Sequence, residues 1–343
     1  MSIDRLRVLI TGGTGFIGTH TVRAALAAGH HVRVLARDPR GVPRALGERI
    51  EVVQGDATVR ADAERAADGC DALVHAAGRY SFDRRDARAL EPANVVATEV
   101  MLAAARSAGL DPIVHVSTFG VLRATGGGAA HTGSPVDEPR EAYLASKARA
   151  ERIARDHQRD GAPVVITYPL ASLGPGDDRL GDQVRRVRDV LSGRMPIWPG
   201  GGFPIGDVRD VGRLHAALLR PGLGARRFIA PGRYVTTREY LGALRTATGR
   251  SLPAVHLPAS LLVPVGALAD AAQRLLPVTL PVSYGSIYVC GHAPRVDNRA
   301  TTDLLGDPGR TLAETMTDTV TWLAATGAVT PRQAGDRPVA ARR

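Results

Sequence analysis

Tyr143 and Lys147 stand four residues apart in Tyr143-Leu144-Ala145-Ser146-Lys147, so a helix would carry the phenol and the ammonium on one face. A free phenol titrates near pH ~10, too high for acid–base work at neutral pH, and a neighbouring cation that favours the phenolate lowers that value. Tyr143 can then give its proton to a carbonyl oxygen while hydride arrives at the carbon. Thr118 closes a strand-like run and can hydrogen-bond the same oxygen, with Ser117 beside it. Lys147 is the only lysine in the chain; every other member of the 44 Lys and Arg residues is an arginine. A compact ammonium with three donors does work that a planar guanidinium does not, so this exception points to a chemical demand. The plain alternative is a surface ion pair with Glu151, four residues on.

A second constellation is Thr11-Gly12-Gly13-Thr14-Gly15-Phe16-Ile17-Gly18, directly after an apolar run. Gly12 permits a tight turn, Gly15 lets backbone approach a pyrophosphate and Gly18 allows close helix packing. The helix that opens at Phe16 and Ile17 offers free N–H groups to the anion. The next apolar run ends Val34-Leu35-Ala36-Arg37-Asp38. A ribose 2′-hydroxyl calls for a carboxylate at that tip and a 2′-phosphate for a guanidinium, so Arg37 favours NADP(H) and Asp38 leaves NAD(H) as the second choice. Asp56, followed by Ala57, is expected either to meet the adenine edge or to cap a turn.

Other classes fall away. A net charge of +10 would suit nucleic acid, but the cations are scattered and aromatics make up only 4% of residues, so stacking platforms are scarce. The ten histidines show no metal spacing and there is no Gly-x-Ser-x-Gly elbow, which removes metallo- and serine hydrolases. Cys70 and Cys290 read as separate buried thiols of a cytoplasmic protein. The first strand begins by Leu6, leaving no room for a signal peptide. The most apolar stretch, 257–269, is broken by Pro258 and Pro264, so no membrane span is expected.

These residues need elements to hold them. Apolar runs at 6–11, 31–36, 50–53, 72–76, 113–117 and 164–168 alternate with helical patterns at 15–28, 94–108 and 143–159, the rhythm of an α/β, doubly wound Rossmann sheet. Residues 1–168 are expected to form this dinucleotide-binding core, with later strands and helices returning to it. Residues 169–329 should make mainly a smaller carboxyl-terminal substrate lobe, and 330–343 a frayed tail. In the lobe, 257–276 has near-helical apolar spacing suited to core packing or to a pocket wall.

Taken together, the chain resembles the extended short-chain dehydrogenase/reductases, the NAD-dependent epimerase/dehydratase group. Its features come in that family's order: the glycine turn, Gly55-Asp56, His75-Ala76-Ala77-Gly78, Asn94 with Thr98, Val116-Ser117-Thr118, Tyr143 with Lys147, then 169–176. The tip ending in Arg37 is similar to the dihydroflavonol reductase and 3-beta-hydroxysteroid dehydrogenase branch. The resemblance implies that Ala76, Ala77, Gly78, Ser117 and Pro169 border the cofactor, that Lys147 holds its ribose, and that Thr118, Tyr143 and Phe203 meet the substrate. The chain departs from the pattern at three places. Phe119-Gly120 follows Thr118 where sugar-nucleotide dehydratases carry Asp-Glu. Phe203 stands where epimerases hold a diphosphate with Arg, and Tyr168 replaces the Arg before Pro169. Arg185, Arg186 and Arg188 would meet an anionic substrate or form an exposed helix face. The expected activity is NADP(H)-dependent reduction of a ketone or aldehyde in a small, fairly apolar metabolite. A nucleotide-sugar epimerase with retained NAD is the runner-up and an NADP-sensing regulatory protein the third reading. The expected partner is that carbonyl or alcohol substrate, with no nucleic acid and no membrane, and a homodimer is left open.

Overall fold

The computed structural model describes residues 5–42, 50–258 and 293–335, together with 260–262, 264, 290 and 291. In chain order the strands are β1 (Arg7–Thr11), β2 (His31–Ala36), β3 (Ile50–Gln54), β4 (Ala72–His75), β5 (Ile113–Val116), β6 (Val164–Tyr168), β7 (Ala171–Leu173), β8 (Ile197–Pro199), β9 (Gly202–Asp207), β10 (Arg226–Ile229), β11 (Arg233–Thr236) and β12 (Val255–Leu257). The first eight helices are α1 (Phe16–Ala27), α2 (Arg60–Ala67), α3 (Ala87–Leu90), α4 (Ala97–Ser107), α5 (Ala142–Arg159), α6 (Asp182–Leu191), α7 (Val208–Ala217) and α8 (Thr237–Thr248). Helices Arg299–Leu305, Leu312–Ala325 and Pro331–Ala334 follow. Two compact units emerge, one of residues 1–170, 208–231 and 296–308, the other of the remaining segments.

The first unit is a seven-stranded parallel sheet in the order β10-β6-β5-β4-β1-β2-β3. This is the doubly wound Rossmann architecture expected, with one strand more than the six apolar runs. Strands covered by helices on both faces must be apolar throughout, which is why β4, β5 and β6 read as continuous runs and are wholly buried. One face packs Val8, Ile10, Val74, Val114 and Val165 against Val22 of α1 and Val211 and Leu214 of α7. On the other face Thr11, His75 and His115 lie side by side in register across β1, β4 and β5. The order reverses between β1 and β4, the crevice where sheets of this kind receive ligands at the carboxyl ends of their strands.

The second unit holds a three-stranded sheet, β11-β9-β7, and a parallel pair, β12-β8. Its aromatic core is Trp198, Tyr240 and Phe203, with ring centroids 5.5 Å and 6.2 Å from Tyr240. Thr236 with Glu239 and Thr311 with Glu314 form capping boxes that start α8 and the Leu312–Ala325 helix. Thr330 and Gln333 make a third at the Pro331–Ala334 turn, the first part of the expected tail; residues 336–343 lie outside the described residues. Most of the apolar 257–276 stretch lies outside them as well. Among the described residues, no helix is long and apolar enough to cross a membrane.

Candidate active site

The turn after β1 is shaped by glycine. Gly12 has φ +72°, a left-handed conformation that side chains rarely adopt, and a Cβ there would stand 2.6 Å from the backbone of Ala76 and Ala77. A Cβ on Gly18 would stand 1.9 Å from the Gly12 carbonyl oxygen, so the first turn of α1 rests directly on the loop. Gly15 is the N-cap of α1, has no side chain to cap with, and is followed by no acid in the first turn. The N–H groups at Phe16 and Ile17 therefore keep the positive end of the helix for an incoming anion. Thr14 lies in the same turn, and the cradle fits a dinucleotide pyrophosphate.

At the tip of β2, Arg37 is exposed, while Asp38 is engaged. Its Oδ1 accepts from the Arg40 N–H and Nε, both at 3.0 Å, and its Oδ2 from the Arg40 guanidinium at 3.2 Å. After β3, Asp56 Oδ1 accepts from the Thr58 N–H at 2.9 Å and the Thr58 hydroxyl at 2.8 Å, a turn cap next to Ala57. At the end of β4 the Ala77 N–H donates to the Thr11 hydroxyl at 3.1 Å. Gly78 is pressed against Asn94, whose amide bridges the backbone of Arg79 to the Ser146 hydroxyl, 2.9 Å away on α5.

α5 begins at Glu141, whose carboxylate accepts from the N–H groups of Tyr143 and Leu144 at 3.0 Å and 2.7 Å. One helical turn then separates Tyr143 from Lys147, both buried. Thr118, just past β5, hydrogen-bonds the Tyr143 phenol, and Phe119 donates its N–H to the Pro169 carbonyl at 3.2 Å. Ser117 is buried beside them. The phenol is pushed above its ordinary value, contrary to the pull expected from Lys147. Burial is the largest cause, the negative Glu141 adds to it, and the Thr118 hydrogen bond opposes it. Tyr80 and Phe82 stand edge-on to the Tyr143 ring at centroid distances of 4.9 Å and 5.6 Å. Nothing local in the sequence marks these two rings, which arrive from the loop after β4.

Lys147 is no surface residue. Its Nζ donates to the Val116 carbonyl at 2.8 Å, burial pulls the ammonium down to about 8, and the Glu151 charge works against that shift. Facing it, His75 is brought down to about 3 by burial and by the lysine's charge, so it is neutral. It is tied to Thr11 at 2.8 Å and to Thr98 at 3.3 Å. His115 stacks on it, centroids 5.9 Å apart, and burial holds it neutral too. Tyr168 donates to Glu151 Oε1 at 2.7 Å, and Arg155 brings its Nε to the same oxygen at 2.7 Å. Tyr168, where the family pattern has Arg, thus meets the Arg155 guanidinium of α5 at its hydroxyl, 3.1 Å away.

In the second unit, Phe203 is wholly buried and the Arg186 guanidinium lies over its ring, 5.1 Å from the centroid. Arg185 pairs with Asp182, and Arg188 with Asp189 at 2.9 Å. The three arginines are part-buried and each has an internal partner, so neither the freely exposed face nor an unengaged anion site describes them. Among the described residues no group of His, Cys, Asp and Glu is placed to hold a metal.

A glycine turn at the switch point of a doubly wound sheet, with tyrosine and lysine one turn apart on α5, defines an extended short-chain dehydrogenase/reductase. The chain belongs to the NAD dependent epimerase/dehydratase family, whose model matches residues 8–228. It is 30% identical to sterol demethylase protein B of Methylococcus capsulatus over 94% of this chain and all of that protein. It is 28% identical to a putative dihydroflavonol 4-reductase of Synechocystis over 91% and 93% of the two chains, in keeping with the branch read from the β2 tip. The dTDP-glucose 4,6-dehydratase DesIV of Streptomyces venezuelae, solved with NAD bound, superposes with a TM-score of 0.74 at 26% identity, covering 94% of this chain and 98% of that one.

Proposed function

We propose that this enzyme is an NADP(H)-dependent carbonyl reductase acting on a ketone or aldehyde of a small, fairly apolar metabolite. The observation that carries the reading is the convergence of the Thr118 hydroxyl, the Tyr143 phenol and the buried Lys147 ammonium within the unit that also holds the glycine turn. The backbone at Gly15, Phe16 and Ile17 would take the pyrophosphate, Ala76 to Gly78 and Pro169 would border the nicotinamide half, and Asp56 with Ala57 the adenine. The bound cofactor would supply hydride to the carbonyl carbon. Thr118 orients the carbonyl oxygen, Tyr143 gives it a proton, and the Lys147 ammonium stabilises the phenolate left behind. Because burial raises the phenol, Tyr143 is held in the proton-donating form that reduction requires.

Arg37 supports NADP(H): it is exposed at the β2 tip while Arg40 occupies the neighbouring carboxylate. The relative described as a dihydroflavonol 4-reductase supports net reduction, and the buried thiols of Cys70 and Cys290 suit a cytoplasmic enzyme. In calorimetric titrations NADPH should bind more tightly than NADH, and Arg37→Ala should weaken NADPH by about 10- to 100-fold while leaving NADH nearly unchanged, the scale of one charge-assisted phosphate contact. Equal affinities, or NAD carried through purification, would turn the assignment to an epimerase. Tyr143→Phe should lower kcat by roughly 10²- to 10⁴-fold with cofactor affinity within about twofold. A Phe variant with ordinary turnover would sink the reductase reading.

A further inference from the structure

α5 turns Tyr143, Lys147, Glu151 and Arg155 toward the sheet at four-residue intervals. Glu151 is 0% exposed. Its Oε1 is clamped by Tyr168 and Arg155, whose guanidinium also reaches the Tyr168 hydroxyl at 3.1 Å and the Ser134 carbonyl at 3.1 Å. Its Oε2 is buried with no hydrogen-bond partner among the described residues. The Arg155 guanidinium thus forms a charge-assisted ion pair with Oε1, and the buried Oε2 is the part of the carboxylate that this clamp leaves unsatisfied. Beside it, Lys147 is a buried cation whose hydrogen bond to the Val116 carbonyl leaves its own charge uncompensated.

We propose that Glu151 is the positioning residue of the tyrosine–lysine pair, a buried counter-charge, fixed through one oxygen by Tyr168 and Arg155, that keeps the Lys147 ammonium protonated within the sheet–helix layer. The inference rests on the reading of Tyr143 and Lys147 as the reacting pair. The groups facing Lys147 leave this task to Glu151. From β4 and β5 come His75 and His115, both neutral through burial, and from β6 comes Tyr168, held in its protonated form. From α5 come Tyr143 and Arg155, neither of them an anion. Glu151 is the influence that opposes the burial of the lysine. Deprotonated, Lys147 would neither hold a ribose hydroxyl as a charged donor nor stabilise a phenolate, so activity should fail on the alkaline side and Glu151 should set where it fails.

The chain offers its own probe, because Lys147 is its only lysine. Full-length protein grown on ¹³Cε-lysine gives one side-chain signal, and its shift against pH reads the Lys147 midpoint without substrate. The wild-type midpoint is expected at about 8. In Glu151→Gln it should drop by about one pH unit or more, the equivalent of a tenfold change in protonation. Tyr168→Phe, which loosens the clamp and keeps the charge, should move it far less. In the same Gln variant kcat/KM should fall about fivefold at pH 8 and recover at pH 6. An unchanged lysine midpoint, equal effects of the Gln and Phe variants, or a rate loss that is the same at every pH would overturn the proposal. If the Gln variant does not fold, Glu151→Asp, with the charge drawn back by one methylene, should give an intermediate drop, and an unmoved midpoint there overturns it equally. Absence of carbonyl turnover in the wild type would defeat the reductase reading, while the spectroscopic titration would still decide the Lys147–Glu151 coupling.

Discussion

At the scale of single residues, the glycine turn separates two demands that a spacing pattern runs together. Gly18 answers a packing demand, since an added methyl would collide with the Gly12 carbonyl oxygen at 1.9 Å. Gly15 has φ −92° and its added methyl would lie 3.3 Å from the same oxygen, a contact relieved by a small shift. Gly18→Ala should therefore lower stability by about 1–3 kcal/mol in chemical denaturation. Gly15→Ala should change stability little but weaken dinucleotide binding, because the new methyl occupies the line of approach to the α1 N–H groups. Similar stability losses in the two variants would contradict this division. The spacing of glycines, the Tyr143–Lys147 interval and the solitary lysine were all legible in the sequence because each is local. The buried state of Tyr143 was not, since Tyr80 and Phe82 approach it from a different loop; burial is the largest cause of the raised phenol, and only the smaller push from Glu141 comes from a neighbour in sequence.

At the scale of elements, β10 shows why one strand escaped notice. It begins Arg226-Arg227 and lies at the sheet's edge beside β6, and its two leading arginines break any continuous apolar run. β3 is the sheet's other edge and is even more exposed, yet its Ile50, Val52 and Val53 kept it readable, so it is the paired arginines of β10 rather than its edge position that hid it. α5 was readable as a helix, and its four-residue period held the further information that Glu151 and Arg155 share the face of Lys147. What could not be read was the partner from the sheet, because Tyr168 reaches Glu151 only once β6 is in place. The capping boxes were also written in the chain, as Thr236 with Glu239 and Thr311 with Glu314. Thr311→Ala should cost about 1 kcal/mol, measured as a lower denaturation midpoint with unchanged cofactor binding. A loss of cofactor binding without loss of stability would assign Thr311 a different role.

At the scale of the whole molecule, the buried histidines give the two units different responses to acid. His75 and His215 are held down to about 3 by burial, and His115 is lowered as well; all three belong to the first unit. Unfolded histidine binds its proton near pH ~6.5, so between that value and about 3 the unfolded chain carries more protons than the folded one. Stability must then rise with pH across this window and be lost on acidification, by on the order of 1 kcal/mol per pH unit for each such histidine. Hydrogen-exchange protection factors, corrected for the slower intrinsic exchange in acid, should accordingly fall from pH 7 to pH 5 in β1, β4, β5 and α7 more than in β9 and α8. An equal fall in both units would refute the assignment. The first unit is also assembled from three separated lengths of chain. During synthesis on a ribosome, the helix Arg299–Leu305 emerges last, and Thr301 must reach back to the carbonyl of Ile229, 2.6 Å away, to finish the β10 margin of the sheet. The nascent polypeptide thus carries an unfinished sheet margin for most of translation, and its exposure to chaperones and proteases is timed by the delivery of a segment near residue 300 rather than by completion of the amino-terminal half.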